Sequence, residues 1–140
     1  MASLDSFDPE FGYPMLVFVL SIFQLAWMAY NVGAARKKYD VKYPAVYSDK
    51  DQKFNCIQRV HQNTLEGYTQ FLALMFLGAL KHPILSAIGG LIIISGRFFY
   101  ALGYYTGDPA KRSRGVWFHL GELLCLGCLI SGALSLLGYL

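Results

Sequence analysis

Charge is scarce in this chain. Of its 140 residues only 15% are Asp, Glu, Lys or Arg, where a soluble domain of ordinary composition carries about 25%. With 55% hydrophobic residues and a mean hydropathy of +0.38, a water-soluble globule is excluded and an integral membrane protein is implied. Cysteine is sparse too: Cys56, Cys125 and Cys128 give no disulfide framework. Cys125 and Cys128 form a C-x-x-C, but it lies inside the apolar run LLCLGCLIS. It lacks the accessible helix N-terminus that a redox pair needs, so packing accounts for it better. His61 and His82 read as interfacial, and His119 has no second His or Cys at helical spacing, so no metal is expected. Residues 1–12 hold Asp5, Asp8 and Glu10 but no Lys or Arg, unlike the basic start of a cleavable signal peptide. The net charge of +3 does not point to nucleic acid, because the basic residues sit in short loops beside apolar runs. No internal repeat, low-complexity segment or β pattern is evident.

What the chain does have is apolar length. A membrane span needs roughly 20 residues, and four such helices are expected at about 13–35, 56–80, 84–105 and 116–138. They consume most of residues 1–140, so a single membrane domain is expected, folded as an all-α transmembrane four-helix bundle. Arg36, Lys37, Lys38, Lys42, Lys50 and Lys53 crowd the first connection, and Lys111, Arg112 and Arg114 the third. By the positive-inside rule both face the cytosol, with the acidic N-terminus opposite. Lys81-His82-Pro83 makes a tight turn between them, with Pro83 suited to the first turn of the next helix. Small residues at Ser86 and Gly90, and at Gly127, Ser131 and Ser135, permit close helix approach in a bundle or an oligomer.

The stretch FNCIQRVHQNTLEGYTQFLALM, residues 54–75, breaks the apolar rule. On a helix Arg59, Asn63, Glu66 and Gln70 share one face and carry a polar stripe towards the bilayer. Intramembrane ionisable groups are costly and default to a functional reading. A second stripe, Arg97, Tyr100 and Tyr104, lies on the third helix, and Lys111, Arg112 and Arg114 follow in the loop. Cations and hydrogen-bonding groups therefore converge on one half of the bundle, with Glu66 and Glu122 the chief carboxylates. The expected guest is anionic and peptide-like: arginines for carboxylates, Asn63 for an amide, Glu66 for an ammonium. A ligand thiol beside such an arginine would be favoured as thiolate. Plainer roles compete. Counting outward from Pro109–Ala110 sets Arg97 against Glu122 and Tyr100 against His119, as structural pairs. Arg36 to Lys38 suit interfacial anchors, and the Lys111–Arg114 group suits a topology signal. Cys56, at the helix start beside Arg59, is a minor nucleophile candidate.

The runs RVHQNTLEGY, GRFFYALGYYTGDPAKRSRG and AARKKYDVKYPAVYS together resemble the MAPEG superfamily, membrane-associated proteins of eicosanoid and glutathione metabolism. The resemblance covers nearly the whole chain and is greatest to the branch called microsomal glutathione S-transferase 3. It implies a homotrimer in the endoplasmic reticulum (microsomal) membrane, with glutathione as co-substrate held between subunits on the cytosolic side. It also implies transfer of glutathione to lipophilic electrophiles, reduction of lipid hydroperoxides, and room for leukotriene C synthase activity. Carried over by motif, Arg59, Asn63, Glu66, Tyr100 and Tyr104 would bind glutathione, joined by Arg36 of the neighbouring subunit. Arg112, in its R-x-x-G setting, would hold the thiolate, with Lys111 or Arg114 as alternatives. His61 stands where a relative has glutamine. Gly67 stands where some members carry an aromatic ring, and Tyr68 follows one position later. A non-catalytic lipid-binding or lipid-presenting protein of the same fold is the alternative reading; a small transporter would want charges at the midplane.

Overall fold

Four α-helices and two 3-10 segments make up the described residues of the computed structural model, which describes residues 8–140. Asp5 lies outside that range, while Asp8 and Glu10 lie within it. The first helix, α1 (Gly12–Lys38), follows a 3-10 turn at Pro9–Phe11 and ends on Arg36, Lys37 and Lys38. Cations in a last helical turn face the negative end of the helix dipole. Two residues on, Asp40 takes a left-handed conformation at φ +50°, which Asp tolerates better than most residues and which stops the helix.

The second helix, α2, spans Gln52–Ala79. Its entry is set by Asn55, whose Oδ1 accepts from the Ser48 amide and whose Nδ2 donates to the Ser48 carbonyl, both at 2.7 Å. The third, α3 (Pro83–Tyr104), opens on Pro83 as expected. The residues that follow are not a plain loop. Asp108 caps a 3-10 helix over Pro109–Gly115 by accepting from the Ala110 amide at 3.0 Å, and α4 (Phe118–Leu136) starts only after it.

Three helical stretches among the described residues are long and apolar enough to cross a membrane: Pro9–Lys38, Pro83–Tyr104 and Phe118–Leu136. Four were expected. The exception is α2, long enough at 28 residues but polar through residues 52–66, where Arg59, Asn63 and Glu66 lie. Its polarity is the cost of carrying the stripe.

The helices α2 and α3 form a central pair that packs on both α1 and α4. Gln52 at the start of α2 donates to the Gly107 carbonyl after α3, at 3.3 Å, so the two basic connections lie at the same end. At the other end His82 hydrogen-bonds Ser131 at 2.9 Å and Phe11 packs near Phe76. Two core clusters result. One, around Val17, Phe71, Met75, Ala87, Ile93 and Cys125, fills the far half. The other, around Met28, Cys56, Val60, Tyr100, Tyr104 and Phe118, fills the half below the basic connections.

The small residues at work differ in part from those expected. Gly90 does press against Met75 of α2 and Val17 of α1, and Ser86 is fully buried. The α3–α4 seam, however, runs through Gly89, Gly96 and Gly121, while a Cβ on Gly127 would meet nothing within 4 Å. Glycines also seat the 3-10 helix. A Cβ on Gly103 would collide with the Lys111 carbonyl, and one on Gly115 with the Gly96 carbonyl and the Tyr100 amide. Both collisions are with backbone, which cannot swing aside. The segment bearing Arg112 is therefore held flat against α3 by missing side chains.

That packing separates two alanine substitutions that sequence alone would treat alike. Gly115→Ala should destabilise by about 1–3 kcal/mol through overpacking. Gly127→Ala should leave the Tm unchanged or raise it slightly, since an exposed helical Gly costs roughly 0.5–1 kcal/mol against Ala. Thermal unfolding of both variants in detergent checks the opposite signs.

Candidate functional site

The polar stripes of α2 and α3 and the 3-10 helix meet at an open cavity of about 600 Å³, within the range of roughly 300–1,000 Å³ usual for small-ligand sites. Arg59 and Asn63 line it from α2, and Arg97, Tyr100 and Tyr104 from α3. Ala110, Arg112 and Ser113 come from the 3-10 helix, and Val116, Phe118 and His119 close it towards α4. Five of the seven expected ligand-handling residues therefore share one cavity: Arg59, Asn63, Tyr100, Tyr104 and Arg112. The shared face follows from the helical period, since Arg97, Tyr100 and Tyr104 fall at i, i+3 and i+7.

Glu66 sits at the rim. Its Oε1 takes an ion pair from Arg59 at 3.1 Å, with the two side chains 39% and 48% exposed. Arg36 is elsewhere in its own chain. It donates to the carbonyls of Val41 at 3.3 Å and Ala45 at 2.8 Å and stacks over the Tyr43 ring at 4.2 Å. Here it pins the first connection and does not line the cavity.

The three basic residues of the third connection differ in placement. Arg112 reaches into the cavity and donates to the Tyr104 hydroxyl at 3.3 Å. That hydrogen bond, first of all, lifts its pKa further above the ordinary arginine value, so its charge is fixed. Lys111 faces Asp108 at 3.7 Å, and neither Lys111 nor Arg114 lines the cavity. Of the three arginines that do, Arg59 faces Glu66 and Arg97 faces Glu122. Arg112 faces no carboxylate among the described residues.

Arg97 was set against Glu122 by counting along the sequence, and its Nη2 is 3.9 Å from Glu122 Oε1. Glu122 in turn holds His119 Nδ1 at 2.7 Å. Tyr100 and His119, the other counted pair, line the same cavity. What the spacing did not reveal is that Arg97 Nη1 donates to Asn63 Oδ1 at 2.8 Å, tying α3 to α2. The Arg97 guanidinium also lies over the Phe118 ring, 3.8 Å from its centroid.

Gly67 explains itself in this setting. A Cβ there would come within 3.2 Å of Arg97 Nη2, so the arginine occupies the space that a side chain at position 67 would take. Tyr68 turns the other way. Its hydroxyl bonds Ser21 of α1 at 2.7 Å, and it lines a separate void with room for about one water. It offers nothing to the large cavity. Cys56, a minor nucleophile candidate in the sequence, is 3% exposed and packs in the apolar core. Cys125 and Cys128 are free and buried, in keeping with packing.

Residues 14–134 match the MAPEG family. An uncharacterised protein of Synechocystis is 36% identical over 91% of this chain and 90% of its own. Microsomal glutathione S-transferase 2 of Homo sapiens is 35% identical over 86% of this chain and 79% of its own. The Bos taurus protein of the same name is 35% identical over 85% and 79%. The motifs pointed to the branch numbered 3, and these named relatives carry the number 2; the family is common to both.

The exposure of the rim pair limits its energetic weight. Glu66→Gln should lower the stability of the ligand-free protein by no more than about 1 kcal/mol, the ceiling usual for exposed ion pairs. Denaturation of the variant with and without 0.5–1 M salt, roughly the range that screens such pairs, measures this.

Proposed function

The chain belongs to the MAPEG family, and from that premise we propose that it is a membrane-bound glutathione transferase with glutathione-dependent peroxidase activity. The observation that carries the reading is the cavity itself. It gathers Arg59, Asn63, Tyr100, Tyr104 and Arg112, and Arg112 faces no carboxylate among the described residues. A tripeptide with two carboxylates and a thiol suits such a lining. Arg59, Asn63, Tyr100 and Tyr104 position it, and Glu66 at the rim takes its ammonium.

In this reading Arg112 holds the glutathione sulfur as thiolate. A thiol has a reference pKa near 8.5, and a depression of about two units beside a partly desolvated cation leaves it mostly ionised at neutral pH. In conjugation the sulfur lone pair attacks an electrophilic carbon, the C–S bond forms and the leaving group departs. In peroxide reduction the thiolate attacks the terminal oxygen and the O–O bond breaks. Protonation of the released alkoxide gives an alcohol, and glutathione leaves as a sulfenic acid. A second glutathione then gives the disulfide and water. The electrophile, or lipid hydroperoxide, enters from the bilayer. Val116 both lines the cavity and is largely exposed, so apolar surface runs up to the site.

The same reading takes the protein as a four-span bundle, assembled as a homotrimer in the endoplasmic reticulum membrane with the cavity facing the cytosol. Having both basic connections at one end supports that orientation. The cavity is open, and in the trimer of this reading a neighbouring copy would bring its Arg36 connection to it. With glutathione filling the cavity, α2 crosses the bilayer with its polar face covered by protein and ligand.

Steady-state conjugation of a lipophilic halonitroarene by the full chain in detergent tests the proposal. Wild type should turn over, and Arg112→Ala should lose about 10²-fold in kcat, as when an electrostatic stabiliser is removed, with the KM for glutathione changed only a few-fold. A correctly assembled wild type that binds no glutathione would overturn the enzyme reading in favour of a lipid-binding protein.

A further inference from the structure

The proposed glutathione site contains a hydrogen-bond polarity that its residue types do not reveal. Asparagine can offer a ligand either a carbonyl oxygen or an amino group, and the two ends look alike in shape. At Asn63 the choice is made by Arg97. An arginine has donors and no acceptor, so the Asn63 atom 2.8 Å from Arg97 Nη1 has to be the oxygen. Its Nδ2 then has two N–H groups, and no group among the described residues accepts from them. Asn63 lines the cavity, so those donors are available to whatever fills it.

Arg97 is built to impose this choice. It is 9% exposed and confined on three sides. The Phe118 ring lies 3.8 Å from its guanidinium carbon, the backbone of α2 at Gly67 leaves it just enough space, and Glu122 stands 3.9 Å from Nη2. A guanidinium held this way has little freedom to release Asn63. Glu122 is steadied in turn by His119 at 2.7 Å.

Building on the glutathione reading above, we propose that Arg97 is the positioning residue that fixes Asn63 as a donor. The ligand group at Asn63 is then an oxygen acceptor, a peptide carbonyl or a carboxylate, and not an amide N–H. This narrows the expectation that Asn63 matches an amide to the carbonyl end of that amide, or to a carboxylate. It also gives Arg97 a part in glutathione recognition at one remove, through Asn63.

Glutathione binding by calorimetry on the full chain in detergent, with assembly checked by size exclusion, separates the possibilities. Asn63→Asp keeps an oxygen for Arg97 but removes both donors. Its affinity for glutathione should fall about tenfold or more, and at least as far as that of Asn63→Ala, because an acceptor would face an acceptor. Arg97→Lys supplies donors only, so it should retain most of the affinity. Arg97→Gln can also accept, which frees Asn63 to turn over, and should raise the KM for glutathione more than it lowers kcat. Should Asn63→Asp bind as tightly as wild type, the donor assignment is overturned while the transferase reading stands. Equal losses in Arg97→Lys and Arg97→Gln would likewise reject the positioning role. Wild type that binds no glutathione removes both readings together.

Discussion

A guanidinium that is nine-tenths buried has to be satisfied by the protein around it, and Arg97 is satisfied from two neighbouring helices at once. Burying a cation without a partner is among the more expensive things a fold can do. Here Asn63 of α2 accepts its hydrogen bond, while Glu122 and the Phe118 ring of α4 supply charge and a π face. The same side chain therefore sets the distance between α2, α3 and α4 at the depth of the cavity. Gly67 and Gly96 make the arrangement possible by being absent as side chains, one beside the guanidinium and one under Phe118.

Once Arg97 and Arg59 have carboxylates of their own, the electrostatics of the cavity reduce to Arg112. That residue owes its place to the 3-10 helix, which lies on α3 because Gly103 and Gly115 let backbone touch backbone. A sequence run that looks like a flexible basic loop is in fact a fixed platform. It presents one cation inward at Arg112 and neutralises another locally, Lys111 against Asp108. The tyrosines complete the wall: Tyr100 and Tyr104 pack edge to face at 5.1 Å and belong to the core as much as to the cavity.

Much of this was legible in the residues. The helical period puts Arg59, Asn63, Glu66 and Gln70 on one face and Arg97, Tyr100 and Tyr104 on another; Arg59, Asn63 and the second set line the cavity, Glu66 stands at its rim, and Gln70 is exposed outside it. Counting from the turn found Arg97 opposite Glu122, since a short hairpin constrains depth. Other features depend on how helices approach one another, which spacing does not encode. The Arg97–Asn63 bond, the vacancy at Gly67 and the turn of Tyr68 towards Ser21 are of that kind. Arg36 shows the same limit. Its own chain gives it two loop carbonyls and an aromatic ring, and it lines no part of the cavity there. The polar N-terminal part of α2 leaves it less apolar than the other three long helices, though it has the length to cross a membrane.

In the proposed mechanism Arg112 ionises a bound thiol. Ultraviolet difference absorbance of glutathione on the detergent-solubilised full chain, titrated with pH, observes that thiolate directly. Ionisation is expected about two units below the reference thiol value near 8.5 in wild type. In Arg112→Ala a return towards that value is expected with glutathione still bound. A bound thiol that titrates like a free one in wild type, or a variant that titrates like wild type, would contradict this mechanism.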